Sequence, residues 1–443
     1  MTEKREIPKV SMFQFITHAL LILKNPLPFH NKNFKKSGDI FSLKVGPKTR
    51  IYFSRDAALA EYVLQKNQKN YVKSKIQTED LVKYVGKGLL TAEGQHWKTQ
   101  RKLIQPAFYK KQLANLLVSM EDAIKKEFDR IEVHKTIDFF SILNDLAFQT
   151  VVKSLFSGVT NDTDMNRLQF ITESGQKMLV KELRQPYLHW WFNISGKLKR
   201  ELELTIEARD VIRNKINQRK VSKEKKGDLL DMLLDSKYED GSGMEEEQLI
   251  DEILILFTAG HETTSNALTF TFQLLAKHPE WQDKIFKEWQ VLSTQSNDLM
   301  TRIMSSKLCQ QVIEESMRLY PPAYFIDRVN IEKDTFNGLE FEKGCNLLFS
   351  VYEMHRHPKL WNKPEAFLPE RFADGERQYS SQYFPFGAGP RKCIGNNFAM
   401  FEMIMAVTQL VSQYKIYPEF HDIEITPLIT LKPKNALLRF EKR

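Results

Sequence analysis

Cysteine is nearly absent: Cys309, Cys345 and Cys393 are the only three in 443 residues. An odd, sparse set builds no disulfide framework, which excludes a stapled secreted domain and predicts a reducing compartment. Glycine is scarce, at 18 residues, and no low-complexity tract or internal repeat is present, which excludes linker-like and solenoid chains. Long apolar runs are missing too. The most apolar early stretch, Val10 to Leu23, carries Gln14, Thr17 and His18 between Lys9 and Lys24. It falls short of the ~20 apolar residues that span a bilayer, and it is expected to pack into the core rather than to lie on a membrane surface. The opening Met1-Thr2-Glu3-Lys4-Arg5-Glu6 has no secretory pattern. A cytoplasmic protein with no membrane anchor is expected.

What is present is an ordinary globular composition with abundant Phe and a formal charge of +9. The cations are scattered among acids and no nucleic-acid recognition motif appears. Nucleic acid is therefore not the expected partner, and a basic face for an acidic protein is. Asp39 to Val45 alternates, Gly46-Pro47 turns and Arg50 to Phe53 returns, which predicts a β-hairpin. Asp56 caps a helix over 56–65. Helical spacing follows over 113–131, 139–156, 164–183, 198–221, 245–277 and 300–319. The stretch 219–227 is charged and poor in apolar residues, so it reads as an exposed loop or helix end. Asp240-Gly241-Ser242-Gly243 reads as a turn. Strand-like pieces lie at 328–331, 339–341, 345–350, 429–431 and 437–440. The fold class is mainly α with a minor β region, as one large domain over 39–443 preceded by a segment 1–38.

Four constellations carry chemistry. Phe386-Gly387-Ala388-Gly389-Pro390-Arg391-Lys392-Cys393-Ile394-Gly395 sets a cysteine in a glycine-rich loop beside two cations, which favour a thiolate. A thiolate presented this way suits a haem iron; taken alone, the plainer reading is a buried, inert thiol. Ala259-Gly260-His261-Glu262-Thr263-Thr264 places an acid and an alcohol together in a long helix, as a proton path needs, or as any helix with a bonded Thr and a solvated Glu shows. His261 by itself reads as structural rather than as a ligand. Glu315 and Arg318 stand three apart on one helix, with Arg371 in Phe367-Leu368-Pro369-Glu370-Arg371-Phe372 downstream. Trp97 and Arg101, four apart, offer donors only, matching an anion or a helix with its indole in the core.

Together these segments resemble the cytochrome P-450 family from about Asp39 to the C-terminus. Phe386-x-x-Gly389-x-Arg391-x-Cys393-x-Gly395 is similar to its haem-binding signature, Ala259-Gly260-x-Glu262-Thr263-Thr264 to its oxygen-activation motif, and Glu315-x-x-Arg318 with Arg371 to its buried ionic network. The resemblance implies the P-450 fold of a soluble bacterial type and haem b (iron protoporphyrin IX) held by Cys393 as metal ligand. It further implies Phe386, Gly395, Ala259 and Gly260 against the cofactor, with Ala259 and Gly260 making room for oxygen. Trp97, Arg101, Arg328 and Arg391 would bind the propionates. Thr263 and Glu262 would deliver protons during oxygen activation, and Glu315, Arg318 and Arg371 would brace the cysteine loop.

The implied activity is a monooxygenase that hydroxylates a C–H bond or removes a methyl group from a small organic substrate. Phe257, Tyr324 and Phe325 are expected in the substrate pocket, with loops near 76–90, 176–191 and 323–326. No flavin or nicotinamide motif is present. Electrons would come from a ferredoxin with its reductase, or from a flavodoxin, docking near Lys98, Lys102, Lys110, Lys111 and Lys392; the chain is expected as a monomer. The Tyr187-Leu188-His189-Trp190-Trp191 cluster reads as core packing or as a stacking surface for sugar rings. The Lys-, Asn- and Phe-rich usage resembles the methyl-sugar demethylase branch of the family in Bacteroidetes. This implies an O-methylated sugar such as a methyl-galactose, beside fatty acids and terpenoids. A peroxide-driven peroxygenase and a non-catalytic haem sensor or carrier are the alternatives; the intact Glu262-Thr263 pair argues against both.

Overall fold

A computed structural model describes residues 5–45, 49–157 and 162–443. The residues group into two compact units, each assembled from separate stretches of chain. The first holds 1–74, 311–393 and 424–434; the second holds 75–310, 394–423 and 435–443.

The first unit is built on a six-stranded sheet. The predicted hairpin forms its centre: Ile40–Val45 pairs antiparallel with Thr49–Ser54, Leu43 opposite Ile51. Gly46-Pro47, read as its turn, lies outside the described residues. Asn346–Ser350 adds in parallel to the hairpin, and Phe325–Asn330 adds antiparallel to that strand. Asp56 caps the helix that follows, accepting from the backbone N–H groups of Ala58 and Leu59. The helix Met12–Lys24 departs from expectation, because it buries no residue. Phe15 and Ile22 pack on the cluster of Val10, Phe29, Phe34, Phe41, Leu43 and Phe53, and the opposite face stays in water.

The second unit is helical. Its axis is the long helix Glu246–Lys277, packed along Phe139–Leu155. Thr264 through Ala276 are all buried, and the stretch carries no charge and shows no polar face turned to water. Asp162–Arg184 and Lys197–Ser222 pack on each other, and a three-stranded sheet joins Tyr414–Pro418, Leu437–Lys442 and Thr136–Asp138.

One reading needs correction and another a refinement. The helix expected over 300–319 is two helices, Leu299–Ser305 and Lys307–Leu319. The Glu288 carboxylate accepts the Leu308 N–H at 2.9 Å, replacing a helical carbonyl and starting a new helix. The 219–227 stretch is the helix end and exposed loop expected, except at its first residue. Arg219 is buried and forks onto Asp228, at 2.8 and 2.7 Å, and onto Asp231 at 2.7 Å. Charge pattern alone does not reveal that the partners lie one turn beyond the loop.

Candidate active site

In the first unit, Phe386 to Cys393 forms a tight loop. The Cys393 N–H donates to the Phe386 carbonyl at 2.9 Å, and the Lys392 N–H to Gly389 at 3.0 Å. Gly387 and Gly389 adopt φ of 70° and 68°, a region that favours glycine. At Gly389 a side chain is also excluded by contact, because a Cβ there would stand 2.0 Å from the Leu64 carbonyl oxygen. Of the three cysteines, Cys393 alone is exposed. Burial pushes the thiols of Cys309 and Cys345 upward, so both stay protonated and inert.

The same unit holds a buried ionic network. The Arg318 guanidinium, fully buried, forks onto Glu315 at 2.7 and 2.9 Å. Its remaining N–H groups donate to the carbonyls of His355 (2.8 Å), Pro364 (2.7 Å) and Ala366 (3.0 Å). Arg371 adds a longer bond to Glu315, 3.3 Å, and one to the Lys363 carbonyl, 2.8 Å. Two cations thus share one carboxylate, the arrangement expected from sequence.

His355 carries the network toward the cysteine. Its Nε2 accepts the Phe384 N–H at 2.9 Å, two residues before the loop begins. Burial, reinforced by the cations of Arg318 and Arg356, lowers its pKa to about 3. The ring is therefore neutral, with its proton on Nδ1. Sequence reading missed His355; no motif surrounds it, and its role depends on contacts 37 and 29 residues away along the chain.

Arg328 lies on the strand Phe325–Asn330, with Nη1 donating to the Asp327 carbonyl at 2.7 Å. Arg391 lies in the short turn Gly389–Arg391. Tyr324 is buried and spends its hydroxyl on the Leu428 carbonyl at 2.6 Å, while Phe325 meets His30 edge to face and Tyr324 at a tilt.

In the second unit, Ala259 is exposed and Gly260, Glu262 and Thr263 are half-buried, midway along an otherwise buried helix. The Thr263 hydroxyl donates to the Ala259 carbonyl at 2.8 Å. A Cβ on Gly260 would press Val151 of the neighbouring helix at 3.1 Å, so close helix packing explains this glycine. His261 is buried against Phe148, as the structural reading expected. Phe257 is corrected from a pocket residue to a core residue. It is fully buried between Phe148 and Phe156, roughly opposite Ala259 on the helix. Trp97 is buried and Arg101 half-buried on the helix Gly94–Ile104, with Arg101 Nε donating to Gln105 at 3.0 Å. At Gly395, which starts the helix Asn396–Gln413, a Cβ would come no nearer than 4.0 Å to Phe108.

A narrow crevice of about 20 Å³ opens in this unit, lined by Leu81, Tyr84, Ile171, Leu179, Leu254 and Thr258 among others. Segments 76–90 and 176–191 contribute as expected; Thr205 and Ala208, from the helix Lys197–Ser222, were not foreseen. Every hydroxyl lining the cleft already donates within the protein. Thr172, Thr205 and Thr258 bond to carbonyls four residues back, at 2.9, 3.1 and 2.9 Å, and Tyr84 bonds to Glu182 at 2.5 Å.

The residues fit an iron porphyrin. In the first unit an exposed sulfur ends a tight glycine-built loop, and Arg328 and Arg391 are of donor-only type, as carboxylate propionates require; Trp97 and Arg101 in the second unit are of the same type.

The cytochrome P450 family model matches residues 8–440. Cytochrome P450 4A10 of Rattus norvegicus is 30% identical over 82% of this chain and 76% of its own length. Pentalenene oxygenase of Streptomyces avermitilis is 26% identical over 97% and 95%. Cyclooctat-9-en-7-ol 5-monooxygenase of Streptomyces melanosporofaciens is 27% identical over 90% and 87%. Among solved structures, a cytochrome P450DA heme domain superposes with a TM-score of 0.87 at 19% identity, covering 100% of this chain and 98% of that one.

Proposed function

Because the chain belongs to the cytochrome P450 family, whose members are haem b–thiolate monooxygenases, we propose that Cys393 supplies the axial thiolate and that the cleft admits a compact, largely apolar substrate of terpenoid type. When bound, the haem supplies the iron at which dioxygen is reduced and split, one atom entering a C–H bond and the other leaving as water. The chain's own residues hold, orient and supply protons. Glu315, Arg318 and His355 fix the loop so that the Cys393 sulfur keeps one position. Trp97, Arg101, Arg328 and Arg391 are assigned to the propionates. Thr263 has its proton engaged by Ala259 and so meets the reaction space as an acceptor. It passes a proton on only by rotating off that bond, and the neighbouring Glu262 reloads it.

The substrate class rests on the hydrogen-bond state of the cleft. Its hydroxyls are spent as donors on the protein, so a sugar rich in hydroxyl and ring oxygens would find few free donors. Apolar carbon lined by Leu81, Ile171, Leu179 and Leu254 loses nothing there. Two relatives are named for the oxidation of cyclooctat-9-en-7-ol and of pentalenene. The O-methylated sugar reading keeps one support, the exposed Trp190–Trp191 pair, which lies outside the residues lining the cleft. Electrons come from a separate acidic ferredoxin with its reductase, or a flavodoxin. Exposed Lys98, Lys110 and Lys111 offer cations for such a partner, while Lys102 is already paired with Glu239.

The test is titration of the haem-loaded protein with terpenoids, fatty acids and methylated sugars, followed by the Soret shift. A shift with terpenoids and none with methylated sugars supports the reading; the reverse overturns it.

A further inference from the structure

No carboxylate, ammonium or guanidinium stands among the described residues that line the crevice of the second unit. Tyr84, Thr172, Thr205 and Thr258 have given their protons to the protein, so only their lone pairs are left to a ligand. The remaining polar side chain is Gln176, half-buried on the helix Asp162–Arg184.

The Gln176 amide has capacity to spare. Its Nε2 donates to the Thr258 carbonyl of the long helix at 3.4 Å, the far end of hydrogen-bond range. That contact sets which way the amide points, since turning it over would bring two oxygens together. Oε1 then accepts from no described residue, and the second Nε2 proton is uncommitted as well. A contact this long yields readily when a ligand parts the walls of the narrow crevice.

We infer that Gln176 determines substrate specificity: its Oε1 accepts the hydrogen bond of a free hydroxyl on an otherwise apolar substrate. The inference rests on reading this crevice as the substrate pocket. An apolar site with one convergent polar group fixes the orientation of a mostly carbon ligand. The free Oε1 adds to the lone pairs of four hydroxyls, so the lining favours a ligand that donates. A hydrocarbon leaves the amide unpaired. An ether brings an acceptor to a lining made mostly of acceptors, and a carboxylate would also lack a cation. Thr258 directly precedes Ala259 of the motif assigned to oxygen activation. A hydroxyl held at Gln176 therefore also fixes which carbon is presented for oxidation.

The experiment uses the full-length, haem-loaded protein and three ligands on one carbon frame: a sesquiterpene alcohol, its methyl ether and the parent hydrocarbon. Affinities are read from the Soret shift and, for binding that leaves the band in place, from calorimetry. The wild type is expected to hold the alcohol roughly threefold to tenfold more tightly than the other two, the worth of one neutral hydrogen bond. In Gln176→Leu that preference should vanish, with the alcohol weakened and the hydrocarbon unchanged or tighter. The products formed from the alcohol should spread from one oxidised carbon to several. Gln176→Met, matched in length, repeats the measurement should leucine disturb the helix. Equal affinity for the three ligands in the wild type, a preference for the ether, or an equal loss of all three in both variants would overturn the inference and leave the terpenoid reading standing. Binding of none of the three would overturn the terpenoid reading, and this inference with it.

Discussion

The imidazole of His355 accepts the backbone N–H of Phe384 at 2.9 Å, and the carbonyl of the same histidine accepts from Arg318 at 2.8 Å. One residue thereby ties a buried guanidinium to the chain just ahead of the cysteine loop. His355→Leu keeps the bulk and the carbonyl but leaves the Phe384 N–H buried without its acceptor, at a cost of about 1–3 kcal/mol. Melting temperature and haem retention are expected to fall together, with Arg318→Ala falling further.

Arg318 and Arg371 are predicted to differ. Arg318 is fully buried and fills its fork, whereas Arg371 reaches Glu315 through a single 3.3 Å bond. Arg318→Ala strands a buried carboxylate and is expected to cost on the order of 3–5 kcal/mol. Arg371→Lys preserves the charge and is expected to cost less. Haem content per polypeptide after purification ranks the two; equal loss would contradict the assignment.

The glycines of the signature are separable. Gly389→Ala drives a Cβ into the Leu64 carbonyl at positive φ, so folding or haem uptake is expected to fail. Gly395→Ala meets no protein atom nearer than Phe108 at 4.0 Å, so the apo fold is expected to tolerate it and any loss is expected in haem uptake. Gly260→Ala, pressed on Val151, is expected to be destabilising and to be rescued by Val151→Ala.

The acid limb of stability has two histidines in it. Burial lowers His30 and His355 to a pKa of about 3, from an ordinary 6.5. Below pH 6.5 the unfolded chain takes up a proton at each that the folded chain refuses. Their stability is complete above 6.5 and declines as pH falls toward 3, by about 1.4 kcal/mol per pH unit for each histidine. His30→Leu is expected to flatten the denaturant midpoint against pH in that window; an unchanged slope would mean His30 is not buried neutral.

How much of this was legible in the sequence follows from the range of the interactions. Glu315 and Arg318 sit three apart on one helix and Cys393 sits within its own loop, and it was the resemblance of these local motifs to a family's, not their spacing alone, that singled them out. Helix extents were visible where apolar periodicity or Asp capping is local, as at Asp56. The break at Ser306 was not, because Glu288 supplies the competing acceptor from 20 residues away. Phe257 looked like a pocket residue on motif proximity, and only the packing of Phe148 and Phe156 against it shows which side of the helix it takes. The Met12–Lys24 helix looked like core because its composition is apolar, and composition does not say whether a second face is covered.

Thr263→Ala removes the hydroxyl that the proton path needs. Oxygen consumption is expected to continue while product falls and peroxide rises; unchanged coupling would remove Thr263 from the path.

The most direct measurement is the absorption spectrum of the reduced protein under carbon monoxide, wild type beside Cys393→Ser. Thiolate ligation by Cys393 predicts the long-wavelength Soret band in the wild type and its loss in the variant. A band at the position typical of imidazole-ligated haem, or one that the substitution leaves untouched, would contradict it.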